Sequence, residues 1–364
     1  MKAAVMREVD APLQIEDVTI EKPGAGEVLI RTAASGICHS DLHVLEGSIP
    51  VPPPCILGHE PAGVVEEVGE GVTNFAPGDH VIGCLSAWCG VCELCVSGKP
   101  YLCPAAHTEF GRPAGTSPRL HAGGSAIAQF ANLSSFAEQM LCPERSLVKI
   151  RPDMPLDRAA LIGCGVTTGL GAALHTARIE PGSTCAVIAC GGVGLAAVQG
   201  CRIGGAGRII AIDNQATKLE LARSVGATDV IDPADGNPVE QVMELTGGGV
   251  DYAFECIGLG VTTQQAVAMI KRGGAAVFVG VVPIGEMVEF PVADITLSEK
   301  RILGSLMGSN RFRVDMPRYV DFYLDGRLRL DEMISARIGL DDVNNAFDRM
   351  REGEMARQVI HFDQ

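Results

Sequence analysis

Residues 184–213 read TCAVIACGGVGLAAVQGCRIGGAGRIIAID. The opening run, 184–189, is uncharged and rich in small and β-branched residues, which predicts a buried strand. An apolar helix is predicted over 193–203 and a second strand over 208–212, ending on Asp213. Strand, glycine turn, helix, strand and acid is the order of a dinucleotide-binding βαβ unit. The turn itself is Ala189-Cys190-Gly191-Gly192-Val193-Gly194, with alanine where the first glycine of the pattern makes the tight turn. Alanine there is expected to shift the strand-to-helix geometry slightly. Gly191 lets a pyrophosphate approach the backbone, and Gly194 permits close helix packing. The helix N-terminus supplies N–H groups and the positive end of a dipole. Asp213 lies 22 residues after Gly191. An acid at that distance accepts hydrogen bonds from ribose hydroxyls and repels a 2′-phosphate, which predicts NAD rather than NADP. Residues 184–201 carry no charge, but glycines at 191, 192, 194 and 200 argue against a lipid-spanning helix.

The alternation continues outward from this unit. A helix is predicted over 216–225, strands over 229–231, 251–255 and 275–281, and helices over 238–245 and 262–270. This repetition predicts a doubly wound parallel sheet of the α/β class. Before about Cys164 the texture differs. Short apolar or alternating runs at 2–6, 28–33, 63–68, 80–84 and 147–150 predict a β-rich region. Loops are expected at 49–54 and 113–124, the second long enough to edge a site. The tail carries a helix over 316–325 and a strand over 357–362.

A chain of 364 residues suits two domains. Hydrophobic residues make up 47% and charged residues 20%, so the chain can bury substantial cores and is not disordered. The net charge of −15 repels phosphate backbones and anionic lipid, which weighs against nucleic-acid and membrane partners. Thirteen cysteines, an odd number, with no signal-peptide pattern at the start, argue against a disulfide scaffold and for the cytoplasm.

Cys89, Cys92, Cys95 and Cys103 form C-x2-C-x2-C-x7-C. Four thiolates so close can wrap one tetrahedral zinc, leaving no open position, which makes the metal structural. An iron–sulfur cluster is the other metal reading, and four unrelated buried cysteines the bland one. Gly90, Gly98 and Pro100 interrupt any apolar period in the run, so core packing does not account for it.

Three further stretches are weak singly: Gly36-Ile37-Cys38-His39-Ser40-Asp41, Gly58-His59-Glu60 with Gly63, Gly69 and Val72, and Gly163-Cys164-Gly165-Val166-Thr167-Thr168-Gly169. Together with the four-cysteine lobe, the chain resembles the zinc-dependent medium-chain alcohol dehydrogenases over its whole length, closest to their long, liver-type branch. The resemblance implies a β-rich, GroES-like catalytic domain (1–165 and 307–364) and a Rossmann domain (166–306). It implies a second zinc, held by Cys38, His59 and Cys164 with a fourth position open for an alcohol or aldehyde. Glu60 would stand behind the ligands, and Asp41 would accept the other ring N–H of His59. Ser40 and His43 occupy the positions of a proton relay. Thr168 and Val193 match residues beside the nicotinamide, Lys218 one along the adenosine ribose, and His39 and Arg357 contacts to the pyrophosphate.

Leu85 and Ile49 match pocket walls, and apolar walls suit a primary aliphatic or benzylic alcohol. The glutathione-dependent formaldehyde dehydrogenases, a close sub-branch, carry an arginine where this chain has His107. Arg112 or Arg119 could replace it. A thiol-adduct dehydrogenase or a formaldehyde dismutase with bound cofactor is therefore the alternative to a simple alcohol dehydrogenase. A non-enzymatic zinc-binding module is a third reading. The resemblance also implies a homodimer joined through residues 300–306, with a tetramer as an extension.

Overall fold

The computed structural model describes residues 1–107, 117–353 and 357–362. By packing, the chain divides into two units. One comprises Met1–Cys164, Arg311–Leu324 and Ile334–Gln364, the other Gly165–Asn310 and Asp325–Met333. The expected return to the first unit at 307 falls at Arg311, and residues 325–333 rejoin the second unit, an excursion no local sequence signal marks.

The first unit is β-rich, as expected. The 11-residue strand Glu27–Ile37 is its hub. It pairs antiparallel with Glu60–Val68, with Gln139–Pro143 and with Arg357–His361. His80–Gly83, Leu147–Ile150 and Ile334–Ile338 complete a seven-stranded sheet. A second sheet of six short strands packs its apolar face around Val5, Ile56, Leu57 and Phe136, none of them exposed. Strand Glu27–Ile37 reads poorly as alternating sequence because both faces are covered: Val28, Ile30, Thr32 and residues 33–37 are all buried.

The second unit is a six-stranded sheet, parallel throughout. Its order is Asp229–Ile231, Arg208–Ile212, Thr184–Ile188, Val250–Glu255, Ile270–Phe278, Arg301–Gly304. This is the doubly wound dinucleotide-binding order, with the strand direction of travel reversing between Thr184–Ile188 and Val250–Glu255. The strand read at 275–281 begins earlier, at Ile270, because its opening residues Lys271 to Gly273 are exposed and polar and hide it. The Arg301–Gly304 edge strand falls within the 300–306 stretch that the resemblance implies as a dimer contact.

Among the described residues one helical run, Leu156–Ala177, is long and apolar enough to cross a membrane, and most of it is buried inside the protein. That burial marks a core helix. The 184–201 stretch is instead the expected buried strand, turn and helix.

Candidate active site and metal centres

Three turns in the first unit converge on one point. Cys38 is the N-cap of the helix His39–Leu45, and Asp41, three residues on, is fully buried. The Cys38 N–H donates to Asp41 Oδ2 at 3.2 Å, the backward reach of a capping box. Asp41 Oδ1 accepts from Gly58 N–H at 2.9 Å and pairs with His59 Nδ1 at 3.0 Å. One carboxylate thus ties both ligand-bearing turns together. Gly58 must be glycine: its φ is +90°, and a Cβ there would stand 2.6 Å from the Phe136 backbone nitrogen. Cys164 is delivered by a π-helical turn, Ile162–Val166. Such turns are common at functional sites because they displace one side chain out of helical register.

The residues fit a metal. With Nδ1 engaged by Asp41, His59 presents Nε2 inward, and that buried nitrogen has no hydrogen-bond partner. An orphaned, buried ring nitrogen among thiols is the arrangement of a ligand. Candidate ligand atoms of Cys38, His59, Glu60 and Cys164 all lie within 4.8 Å of one another. A hydrogen bond from Cys164 holds the Cys38 thiol well below its ordinary value despite burial, while Cys164 itself is pushed up by that same bond and by burial. Burial pulls the His59 pKa down, yet Asp41 and Cys38 outweigh it and push it up to about 10. The pocket therefore favours a cation at its centre.

Glu60, expected behind the ligands, lies close beside them. Its fully buried carboxylate belongs to the same cluster as the three ligands and is ion-paired with Arg357. Arg357, expected at a pyrophosphate, is 7% exposed and spends its charge on Glu60. Gly36 leaves room for this pair, since a Cβ there would overlap the Glu60 carboxylate. No local pattern signals the Glu60–Arg357 pairing, which joins residues almost 300 positions apart. Nor does any signal the Phe130 ring, set edge-on against His59 at 5.4 Å between centroids.

The four-cysteine lobe also closes on one point. Cys89 and Cys95 sulfurs are 3.9 Å apart, and Cys92 and Cys103 sulfurs 4.0 Å. Bonds of about 2.3 Å to one tetrahedral ion put sulfurs roughly 3.8 Å apart, whereas a disulfide needs about 2.05 Å. A multi-iron cluster would spread the sulfurs further. Backbone N–H groups of Cys89, Val91, Cys92 and Cys95 point at these sulfurs at 3.3–3.5 Å.

In the second unit the glycine turn fits a pyrophosphate. Gly191 caps the helix Gly192–Ile203, and a Cβ on Gly191 would meet nothing within 4 Å. That open space lies at the helix N-terminus, where a dinucleotide phosphate is received. Gly194 is required for packing, since a Cβ would collide with the Ala189 carbonyl. Asp213 is buried and accepts from Cys190 N–H at 2.7 Å and Gln215 N–H at 3.0 Å, so it also clasps the glycine turn to the next strand. Ala189 takes φ +71°, the left-handed conformation the missing glycine would have adopted freely. L-residues pay about 1–2 kcal/mol there, against about 0.5–1 kcal/mol of extra chain entropy for glycine. Ala189→Gly is therefore expected to stabilise the protein by about 0.5–1 kcal/mol, read by denaturant unfolding; a loss of stability would contradict the strain.

The remaining candidates are placed as follows. The Ser40 hydroxyl is 3.9 Å from Cys38 Sγ. His43 and His39 are exposed one helical turn apart, ring centroids 6.4 Å from each other. Thr168 Oγ1 lies 3.6 Å from Met307 Sδ, and Lys218 is half-buried on Ala216–Val225. Gly192 and Val193 are half-buried in the first turn after Gly191. Ile49 is 38% exposed, and Leu85 packs on the core around Val81 and Met140. Arg119 is unavailable to a ligand: its guanidinium binds Glu27 at 2.7 Å and Gln129 at 3.1 Å, largely buried. The His107 side chain and Arg112 lie outside the described residues.

Residues 24–152 match the family model of the alcohol dehydrogenase GroES-like domain, and residues 192–324 that of zinc-binding dehydrogenases. The chain is 41% identical to an alcohol dehydrogenase class-3 of Myxine glutinosa, over 99% of this chain and 97% of that one. It is 42% identical to an S-(hydroxymethyl)glutathione dehydrogenase of Synechocystis, over 99% of both. The crystal structure of benzyl alcohol dehydrogenase from Acinetobacter calcoaceticus superposes with a TM-score of 0.94 at 33% identity, covering 100% of this chain and 99% of that one. With two thiol-rich zinc centres and a dinucleotide fold already in place, these likenesses make the chain a member of the zinc-dependent medium-chain alcohol dehydrogenase family.

Proposed function

We propose that this enzyme oxidises the hydroxymethyl adduct of formaldehyde with a small thiol, using NAD. The reaction is R–S–CH2–OH + NAD+ giving R–S–CHO + NADH + H+. The observation that carries this reading is full-length identity of 41–43% to class-3 alcohol dehydrogenases and S-(hydroxymethyl)glutathione dehydrogenases. NAD over NADP follows from Asp213, whose charge would repel a 2′-phosphate. A primary aliphatic or benzylic alcohol is the second reading, favoured by the likeness to the Acinetobacter enzyme and by Leu85.

Zinc held by Cys38, His59 and Cys164 would supply Lewis-acid polarisation of the alcohol oxygen, and a dinucleotide on the glycine turn would supply the hydride acceptor. Asp41 fixes the ring of His59, and Glu60 with Arg357 keeps a matched charge pair in the cluster. The Ser40 hydroxyl, 3.9 Å from Cys38 Sγ, would take the substrate proton and pass it outward, with exposed His43 as the surface acceptor. Gly191, Gly192, Val193 and Gly194 would receive the pyrophosphate, and Thr168 and Val193 would face the nicotinamide. Lys218 and Asp213 serve the adenosine ribose. His39 adds a positive group near the pyrophosphate only when protonated.

The test is NADH formation with formaldehyde plus glutathione, against ethanol, octanol and benzyl alcohol, each with NAD and NADP. The adduct is expected to give a kcat/KM at least about 100-fold above ethanol. Faster benzyl alcohol oxidation, with no response to the thiol, would transfer the assignment to the second reading. Nicotinamide that copurifies and exchanges hydride without free NAD would mark the dismutase variant.

A reducing compartment, the cytoplasm, suits a chain whose 13 cysteines are all free thiols. A homodimer is supported by the second unit's edge. The Arg301–Gly304 strand pairs with Ile270–Phe278 on one side. Among the described residues, 281–306 hold seven of the 18 exposed large hydrophobics, including Val281 at 79% and Met287 at 88%. Such an edge invites pairing with a second copy. Ile302→Glu is expected to halve the mass in solution by light scattering; an unchanged mass would place the contact elsewhere.

A further inference from the structure

Val250–Glu255 ends in a carboxylate that nothing above uses. Glu255 is 0% exposed. Its oxygens accept from Ile257 N–H at 3.1 Å, Gly258 N–H at 2.9 and 3.1 Å, and the Thr262 hydroxyl at 2.8 Å. Every one of these donors is neutral, and no cation pairs with it among the described residues. The buried Asp213, by contrast, has an evident task as ribose acceptor. These hydrogen bonds satisfy the carboxylate without neutralising its charge, so its field extends beyond the turn.

Its place in the sheet shows where that charge acts. Glu255 stands directly opposite Ile188 in the parallel ladder, and each is the last residue of its strand. Between these two strands the winding reverses, and the crevice beyond their carboxyl ends is where such folds bind a dinucleotide. The adenosine half is assigned to the Arg208–Ile212 side by Asp213, and the pyrophosphate to the helix following Thr184–Ile188. Continuing in the same direction, the nicotinamide half falls on the Val250–Glu255 side. The turn after Glu255 is close-packed there: Gly258 has φ +87°, and a Cβ on it would touch the Val281 backbone. Cys256 N–H meanwhile donates to the Ile188 carbonyl at 3.1 Å, tying this turn to the end of the motif strand.

The oxidised nicotinamide ring carries a positive charge and the reduced ring none. We propose that the Glu255 carboxylate is a positioning and selectivity residue that favours the oxidised cofactor over the reduced one. It holds the 256–258 turn in shape and places a fixed negative charge under the nicotinamide side of the crevice. This rests on the dinucleotide reading of the site, which ADP-ribose binding checks separately, since ADP-ribose lacks the nicotinamide.

The experiment measures dissociation constants of the zinc-loaded enzyme for NADH by fluorescence titration, and for NAD+ and ADP-ribose by competition. Glu255→Gln is expected to weaken NAD+ about fivefold to tenfold while changing NADH and ADP-ribose less than about twofold. Glu255→Asp, which keeps the charge, is expected to restore most of the NAD+ to NADH ratio. A purely structural role would move all three ligands together, and equal changes, or none, would overturn the proposal. Ile257, half exposed on the same turn, supplies a second test that leaves the buried carboxylate intact. Ile257→Lys would place an opposing positive charge on the Glu255 turn and is expected to lower the NAD+ to NADH affinity ratio relative to Ile257→Gln. If Glu255→Gln does not fold, an identical ratio in the Lys and Gln variants overturns the proposal by itself. Loss of ADP-ribose binding in the parent enzyme would instead refute the dinucleotide site.

Discussion

Cys38→Ser is expected to lower kcat by at least about 1,000-fold and to leave the protein folded. The chemistry needs a cation at the point where Cys38, His59 and Cys164 meet. Serine removes the soft anionic ligand whose thiol the site holds well below its ordinary value. It does not disturb the local fold, because Cys38 is a helix N-cap and serine is a favoured N-cap residue. The backbone N–H that binds Asp41 is unchanged, so the His59 turn keeps its tie. Zinc content is expected to fall from two to one per chain, with the far-ultraviolet circular dichroism of the parent. Near-full turnover in this variant would refute the ligand assignment. Two zincs with no turnover would move the role of Cys38 from binding the metal to shaping the pocket.

The second unit was the more legible in sequence because its physics is local. Its strands are buried on both faces and read as apolar runs, its helices alternate with them, and the glycine turn fixes register. Ala189 is the instructive departure. Alanine at a glycine position reads as a flaw, yet the backbone keeps φ +71°, so the sheet and helix dictate the turn and the residue bears the strain. The first unit was less legible. Its hub strand Glu27–Ile37 was read as only 28–33, because Ser35 and Gly36 look like a loop end, although the Ser35 hydroxyl is satisfied by Ser135 at 2.7 Å.

The metal ligands were legible because cysteine and histidine at turn positions have few other uses. Their supporting groups were not all so. Asp41 is three residues from Cys38 and could be inferred; Arg357 comes from the far end of the chain and pairs with Glu60 only through the sheet. Spacing alone does not carry such information. The same holds for Arg119, a candidate by sequence to replace the arginine absent at His107, whose guanidinium is spent on Glu27.

Cys95→Ser is expected to act on stability rather than chemistry, lowering the unfolding free energy by about 3–5 kcal/mol and the thermal midpoint by roughly 10 °C. The lobe has little else to hold it. Cys95 sits on a four-residue helix, Glu93–Val96, which buries no side chain. Its apolar residues Val91, Val96 and Leu102 are 78%, 70% and 42% exposed. The sulfurs are also electrically mismatched. Backbone N–H groups of Val91 and Cys92 hold the Cys89 thiol down at about 6, whereas burial and the neighbouring sulfurs push Cys95 up to about 12. Without a cation at the centre, four sulfurs some 4 Å apart cannot all be thiolates. Metal binding is then inseparable from folding of the lobe. One zinc per chain, a lowered midpoint and a kcat within about threefold of the parent at 20 °C are expected together. The lobe shares no ligand with the catalytic ion, so turnover is expected to survive wherever the protein is still folded. An unchanged midpoint with two zincs retained would mean that three cysteines suffice. An unchanged midpoint with one zinc would mean that the metal fills the lobe without supporting it.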